Sequence, residues 1–226
     1  YNALVFEALT SEERQAFMTI YNDYFYERHN EMWGALAYRK LSMVLERTNM
    51  LVTAEDLGVL PDCVQPTLDA LRILTLEVQT LPKQHGLEFA HLEANPYLSV
   101  ATISTHDMPP LRLWWQERPE AAQHYYRDRM QKEGRPPVAL TTTLAEEIVS
   151  RHLYSPSMLC LLSLQDWLAV DAEMRNPDPR SERINTPGDC YNRWSYRMHV
   201  NIEQLIADEQ LNKKLRTMVE RSKRNV

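Results

Sequence analysis

Polar side chains suited to sugar chemistry lie at the ends of four short apolar segments of the chain. These side chains are Glu55 and Asp56, Glu77 and Gln79, His106 and Asp107, and Gln165 and Asp166. A carboxylic acid can protonate a glycosidic oxygen, and a second carboxylate can stabilise an oxocarbenium-like carbon. Amides bind sugar hydroxyls, and Trp114 and Trp115 offer flat apolar faces to pyranose rings. The residue types therefore indicate an enzyme that hydrolyses or transfers sugars.

The same residues have ordinary structural interpretations. Glu55 and Asp56 could begin a helix, where acidic side chains are favoured, and the two tryptophans could belong to the core. His106 and Asp107 could cap a helix ahead of Pro109. A metal site formed by His106, Asp107 and Glu55 would instead define a metal-dependent hydrolase, although the chain has no HExxH motif. The residues alone leave these alternatives open.

The elements that would position these side chains alternate between strand-like and helical patterns. Strand-length apolar segments occupy residues 50–54, 73–79, 97–104 and 158–164. Helical patterns cover residues 10–48, 61–72, 119–134 and 141–154, and the segment from about residue 201 onward. This alternation predicts an α/β fold with a parallel sheet covered by helices. Because ligands bind at the carboxyl ends of such strands, the polar side chains are expected to converge there.

Composition excludes several other classes of function. The chain has 226 residues and a formal net charge of −6, which gives no electrostatic basis for binding nucleic acid or an anionic membrane. No apolar run approaches the roughly 20 residues of a membrane-spanning helix. The basic segment 213–224 is interpreted as a solvated helix end. Cys63, Cys160 and Cys190 are widely spaced and predict free thiols in a reducing, cytoplasmic compartment.

Three motifs in order resemble one known family. They are AEDLG at residues 54–58, STHD at residues 104–107, and RINTPG followed by NRWSYR within residues 183–197. Together they resemble the 4-alpha-glucanotransferases, also called amylomaltases or disproportionating enzymes, of glycoside hydrolase family 77. The segment STHDMPPLRLWW is closer to the branch that holds the plant cytosolic enzyme and its bacterial relatives. The likeness extends from about residue 25 to residue 197.

The resemblance implies a (β/α)8 TIM barrel. Residues 1–226 would then be the C-terminal part of the catalytic barrel domain, with strands 5–8, their helices and a closing C-terminal helix. The N-terminal half of the barrel would be absent from this chain. Two strand edges would be open, which predicts dimerisation or a requirement for the missing half.

The resemblance also implies a retaining double displacement between maltooligosaccharides or α-glucans, without metal or other cofactor. Glu55 would be the general acid/base and Asp107 the carboxylate that stabilises the transition state. His106 would bind a substrate hydroxyl, and Asn185, Pro187 and Gly188 would line the substrate channel. Trp194 and Arg197 would have structural roles.

The chain departs from the family pattern at the catalytic nucleophile. This nucleophile belongs to an Arg-x-Asp-His motif on the fourth barrel strand, and these 226 residues contain no such motif. Neither Asp56 nor Asp107 occupies the equivalent strand. A retaining enzyme needs its nucleophile about 5–5.5 Å from the acid, so the isolated chain is predicted to be inactive. A glucan-binding module without catalysis is the alternative.

Overall fold

The computed structural model describes residues 4–58 and 60–224 as an α/β fold with a small parallel sheet. The chain divides into two compact units, Tyr1–Thr75 and Leu76–Val226. The first unit is mostly helical. Its helices are α1 (Leu4–Glu7), α2 (Ser11–Asn22), a π-helical segment (Asp23–Arg28), α3 (His29–Leu45) and α4 (Val64–Leu71).

The helical pattern predicted for residues 10–48 is confirmed, with a π-helical segment at its centre. Thr10 begins α2 through a capping box. Its hydroxyl accepts the Glu13 N–H at 3.3 Å, and the Glu13 carboxylate accepts the Thr10 N–H at 2.8 Å. Further along, the Cys63 N–H donates to Oδ1 of Asn30 at 3.0 Å and ties the start of α4 to α3.

Apolar side chains on α2 and α3 face solvent, and neither helix buries any residue. Tyr24, Tyr26 and Trp33 are among the exposed aromatic side chains of this helical stretch. His29 stacks on Trp33 with their ring centroids 4.8 Å apart. An apolar surface of this extent is typical of an interface rather than of a free helix.

The segment predicted as a strand at residues 50–54 pairs at one position only. Thr53 forms a parallel bridge with Leu74, flanked by hydrogen bonds from the Ala54 N–H to the Leu74 carbonyl (2.8 Å) and from the Leu74 N–H to the Val52 carbonyl (3.1 Å). Glu55 directly follows this bridge without forming a helix. The interpretation of Glu55 and Asp56 as the first residues of a helix is therefore wrong.

The sheet has the order β1–β2–β3, with β1 at Thr75–Val78, β2 at Ser99–Thr102 and β3 at Leu159–Cys160. β2 and β3 are parallel, with Val100 opposite Leu159. Every residue of β2 is buried, Ser99 and Thr102 included, so the strand does not alternate between a buried and an exposed face. β3 is shorter than predicted because the Ser163 hydroxyl accepts the Asp166 N–H at 3.1 Å and starts a helix there.

Six helices lie within the described part of the second unit, up to residue 224. They are α5 (Leu111–Glu117), α6 (Pro119–Asp128), α7 (Thr142–Leu153), α8 (Leu164–Leu168), α9 (Ile202–Ala207) and α10 (Glu209–Arg221), with 3-10 turns at Leu92–Ala94 and Pro179–Glu182. Trp114 and Trp115 are buried in the core beneath α6 and α7. Their interpretation as sugar platforms is therefore wrong, and the core interpretation is confirmed.

The basic C-terminal segment is more than a solvated helix end. The Arg224 guanidinium donates to the carbonyls of Leu153 (2.6 Å), Ser155 (2.5 Å) and Ser157 (2.8 Å). These carbonyls lead from α7 into β3, so Arg224 links the C-terminal segment to the sheet.

No helix among residues 4–58 and 60–224 is long and apolar enough to cross a bilayer. Cys63, Cys160 and Cys190 are free thiols, as predicted.

Acid is expected to destabilise the fold through His152, a fully buried residue of α7. Its Nδ1 lies 2.8 Å from the Ile148 carbonyl, and burial lowers its pKa to about 4 from 6.5. Between these values the unfolded chain binds a proton that the folded chain does not, so stability falls as pH falls. Once the pH lies below both pKa values, protonation of His152 has lowered the free energy of unfolding by about 3 kcal/mol.

Urea unfolding at pH 7.5 and pH 5 measures this effect against a His152→Leu variant. Other groups titrate in the same range and contribute similarly to both proteins, so the difference between the two pH responses isolates His152. We expect wild type to lose more stability on acidification than His152→Leu. Equal losses would contradict the assignment.

Candidate functional site

The loop after β2 carries His106 and Asp107 on a tight turn. The Asp107 N–H donates to the Thr105 hydroxyl at 3.3 Å, and the Met108 N–H donates to the Thr105 carbonyl at 3.1 Å. The next helix begins only at Leu111, so His106 and Asp107 do not cap it. Both side chains are about half exposed, 51% for His106 and 43% for Asp107. The turn thus presents both groups to solvent.

Asp107 is held by a chain of two side-chain amides. Asn185 Nδ2 donates to Asp107 Oδ1 at 2.5 Å, and Asn192 Nδ2 donates to Asn185 Oδ1 at 2.7 Å. The second bond fixes which way the Asn185 amide faces. Asp107 Oδ2 has no hydrogen-bond partner in the part of the chain that the structure describes, so it is open to a ligand.

His106 lies between this carboxylate and an aromatic ring. Its Nε2 is 3.5 Å from Asp107 Oδ1. Its ring centroid is 5.2 Å from that of Trp194, at an interplanar angle of 48°. His106, Asp107, Asn185 and Trp194 therefore form one cluster, which we call the β2-end cluster.

Pro187 and Gly188 form a reverse turn next to this cluster. The Asp189 N–H donates to the Thr186 carbonyl at 3.1 Å, and Gly188 has a φ of 86°. Proline followed by a residue with positive φ is the pattern of a type II turn, where glycine is favoured. Both turn residues are exposed, while Asn185 is buried.

A buried ion pair anchors the start of this loop to α5. Arg112 Nη1 lies 3.1 Å from Glu182 Oε1, with 8% and 2% of the two side chains exposed. Arg112 also donates to the Asn176 carbonyl at 2.6 Å, and Gln165 donates to the Glu182 carbonyl at 3.2 Å. Burial raises the pKa of Glu182 to about 7, although the Arg112 charge opposes this rise. Next to it, Arg183 pairs with Glu117.

Asp166 braces the other side of the β2-end cluster. Oδ1 accepts the Leu111 N–H at 2.9 Å, while Oδ2 accepts the hydroxyls of Ser163 (2.8 Å) and Ser104 (3.2 Å). Burial raises the pKa of this carboxyl, and its three donors oppose the rise. The sequence predicts Asp166 at a strand end, but it lies inside the first turn of α8 and is buried.

Removing the Asp166 carboxylate is expected to destabilise the fold. Asp166→Ala leaves three donors without their acceptor, and we expect a loss of about 2–4 kcal/mol of unfolding free energy. Asp166→Asn is the matched control, because its carbonyl oxygen can still accept the Leu111 N–H. Urea unfolding measures both variants. A loss below about 1 kcal/mol for Asp166→Ala would contradict the bracing role.

Polar side chains in and just after β1 are also engaged within the protein. Glu77 forms an ion pair with Lys83 at 2.7 Å. Gln79 accepts the Tyr125 hydroxyl at 2.5 Å, and the Ala90 carbonyl accepts from its amide at 3.2 Å. Of the predicted strand-end groups in the second unit, only His106 and Asp107 therefore face outward.

Glu55 belongs to the first unit, where its side chain is exposed, whereas the neighbouring Asp56 is buried. Gly58, three residues further on, has a φ of 90°, which glycine adopts without strain. Glu55 is thus the member of the acidic pair that can reach a ligand.

No three His, Cys, Asp or Glu side chains within residues 4–58 and 60–224 are grouped closely enough to hold a metal ion. A hollow of about 350 Å³ lies elsewhere, beside Leu92, Glu93, Arg129 and Ser155. Leu92 and Ser155 lead into β2 and β3, whereas His106 and Asp107 follow β2. The hollow is therefore separate from the β2-end cluster.

Sequence reasoning missed the anchoring residues. Arg112 and Glu182 are 70 positions apart and have no local motif. A charged residue inside the apolar run LRLWW was the one available signal for Arg112. Trp194, for which the resemblance implies a structural role, has an exposed side chain beside His106.

Fold and site together define an α/β protein with a carboxylate–amide cluster at the carboxyl end of a parallel strand. The family model for 4-alpha-glucanotransferase (glycoside hydrolase family 77) matches residues 6–203. The chain belongs to this family.

Proteins with similar sequences are also named 4-alpha-glucanotransferases. 4-alpha-glucanotransferase DPE2 of Oryza sativa subsp. japonica is 30% identical over 220 residues, which is 97% of this chain and 23% of the relative. The 4-alpha-glucanotransferase of Chlamydia muridarum (strain MoPn / Nigg) is 32% identical over 182 residues, 79% of this chain and 34% of the relative. The chain thus spans between about a quarter and a third of these relatives.

Amylomaltase from Streptococcus agalactiae, solved in complex with acarbose, superposes with a TM-score of 0.61 at 16% identity. The match covers 85% of this chain and 35% of that one. Amylomaltase from Corynebacterium glutamicum gives a TM-score of 0.53 at 21% identity, covering 75% of this chain and 28% of that one. These likenesses establish a shared fold.

Proposed function

We propose that this chain supplies the acid/base side of the catalytic site of a 4-alpha-glucanotransferase. The enzyme transfers α-1,4-glucan segments between maltooligosaccharides and glucans by a retaining double displacement. Membership of the family supports the activity, and the likeness to an amylomaltase solved with acarbose supports a glucan substrate. The single observation that carries the proposal is the Asp107 carboxylate, oriented by Asn185 with one oxygen open.

Each residue has a defined task in this mechanism. Glu55 protonates the oxygen of the departing sugar and then deprotonates the incoming hydroxyl of the acceptor. Asp107 uses Oδ2 to bind ring hydroxyls and to favour the distorted, oxocarbenium-like transition state. His106 binds a hydroxyl beside it. Asn185 positions Asp107, and Pro187 and Gly188 shape the adjacent wall of the channel.

We further propose that residues 1–226 are the C-terminal part of a (β/α)8 barrel domain, in which the three strands and the segment that ends at Glu55 are consecutive barrel strands. The parallel pairing of β2 with β3 and of Thr53 with Leu74 supports this architecture. The nucleophile comes from the remaining part of the barrel. A cytoplasmic location accords with three free thiols.

Turnover assays test this division of labour. The purified 226-residue chain, incubated with maltotriose, is expected to release no glucose above the buffer rate. Adding the upstream part of a family member, which carries the Arg-x-Asp-His motif, is expected to restore transfer. Robust turnover by the chain alone would contradict the proposed inactivity. Glucan binding without transfer in the reconstituted enzyme would instead support a non-catalytic glucan-binding module.

The isolated chain is also expected to self-associate. The helical stretch from α2 to α3 carries exposed aromatic side chains, and the open strand edges of a partial barrel would add to this surface. Light scattering measures the mass in solution. A monodisperse monomer across the concentration range would contradict this expectation.

A further inference from the structure

Trp194 has a backbone conformation that a bulky residue adopts only at a cost. Its φ is 51°, in the left-handed region, where Cβ approaches the following carbonyl oxygen. The other non-glycine residues with positive φ within residues 4–58 and 60–224 are Arg72, Gln131 and Lys223. All three lie within three residues after a helix end, where this conformation is common. Trp194 has no such helix beside it.

Burial of the Trp194 side chain does not offset this backbone strain. The Trp194 side chain remains 57% exposed, so its indole ring contributes little to the core. Instead, the conformation lays the ring against His106, with 5.2 Å between ring centroids. Strain that secures no burial but fixes a side chain beside reactive groups is typical of binding sites.

The surroundings of the ring match the chemistry of a sugar. A pyranose has an apolar C–H face and a rim of hydroxyls. The exposed indole offers the apolar face, while His106 and the open Oδ2 of Asp107 offer partners for hydroxyls. Tyr191, also largely exposed, lies three residues earlier in the same loop.

We propose that Trp194 is a stacking platform for one glucosyl unit of the substrate, next to Asp107. This inference rests on the proposed function and deepens it, because it assigns part of the glucan affinity to one exposed ring. It replaces the structural role expected from the sequence. The platform binds the ground state of the glucan and takes no part in bond breaking.

The two roles give opposite results for stability. If Trp194 were structural, Trp194→Gly would remove packing and lower the melting temperature. If it is a strained platform, glycine relieves the strain and the melting temperature stays constant or rises. Gln131→Gly is the matched control, because Gln131 has a φ of 54° but lies outside the β2-end cluster.

The deciding experiment combines melting with sugar binding in the 226-residue chain. Maltoheptaose is titrated into ¹⁵N-labelled chain, and the indole Nε1–H signals are followed, with that of Trp194 assigned through Trp194→Phe. We expect the Trp194 signal to shift while that of buried Trp115 does not. Trp194→Gly is expected to weaken binding about ten-fold, whereas Trp194→Phe and Gln131→Gly preserve it.

An unmoved Trp194 signal, or a lower melting temperature for Trp194→Gly, would overturn the platform. Failure of the proposed function has a different signature. In that case the Trp194 signal responds to maltoheptaose, but the chain reconstituted with the upstream part of a family member transfers no glucose.

Discussion

Glu55→Gln is expected to reduce glucan transfer in the reconstituted enzyme by about 10²–10⁴-fold. Glutamine keeps the size and polarity of the side chain, but it can neither protonate a leaving oxygen nor deprotonate an acceptor. Glu55 is exposed after the Thr53–Leu74 bridge, so the substitution removes no buried contact and stability should be unchanged.

A substrate with a better leaving group separates the roles of the two carboxylates. An α-maltosyl fluoride needs little acid assistance, because fluoride departs readily. Glu55→Gln should therefore form the glycosyl-enzyme intermediate from the fluoride far faster than from maltotriose. Asp107→Asn should be impaired with both donors, since Asp107 is proposed to act on the sugar ring rather than on the leaving group.

Rapid-quench measurement of the first turnover gives the comparison directly. The control for Asp107→Asn is its urea unfolding curve, which should match wild type closely. If Glu55→Gln were equally slow with fluoride and maltotriose, Glu55 would not be the general acid. If either variant transferred glucan at the wild-type rate, the assignment of that carboxylate would be wrong.

Arg112→Met is expected to cost about 3–5 kcal/mol of unfolding free energy. The substitution removes the cation 3.1 Å from Glu182 and leaves the carboxylate buried without its charge partner. This loss is a large part of the 5–15 kcal/mol that typically separates folded from unfolded chains. Because Glu182 leads directly into the loop of Asn185, the β2-end cluster should loosen as well.

The loss should depend on pH. Burial raises the pKa of Glu182 above its unfolded value of 4.5 even beside Arg112, and without Arg112 the opposing charge is gone. Stability from protonating Glu182 is then fully present below pH 4.5 and is lost as pH rises through the folded-state pKa. Arg112→Met should therefore be less destabilised at pH 5 than at pH 7.5.

The double variant Arg112→Met with Glu182→Met is the control. It removes both charges and keeps the volume, so we expect most of the lost stability to return. Urea unfolding of the three proteins at both pH values provides the measurement. A double variant as unstable as the single one would show that packing, rather than an orphaned charge, causes the loss.

Structural features that depend on residues close together in the sequence were predictable. The capping box of Thr10 and Glu13 lies within one turn of helix, and β2 ends at Thr102, a few residues before His106 and Asp107. Both could be located because the responsible interactions are local. The same locality explains why the motifs around Glu55 and Asp107 sufficed to indicate the family.

Features decided by distant contacts were not predictable. The pairing of Arg112 with Glu182 joins positions 70 residues apart, and that of Ser104 with Asp166 joins positions 62 apart. β3 ends early because Ser163 competes to cap a helix. The left-handed backbone of Trp194 has no compositional signal, since tryptophan is among the residues least expected there.

The amides that hold Asp107 also determine the electrostatic character of its surroundings. Asn185 donates an N–H to the carboxylate and Asn192 donates one to the Asn185 amide oxygen, and neither side chain carries a net charge. An arginine in the place of Asn185 would hold the carboxylate as firmly but cancel its charge. The amides thus orient the carboxylate without adding a charge of their own. Ionic strength should affect such a dipolar hold little, because it has no counter-charge to screen.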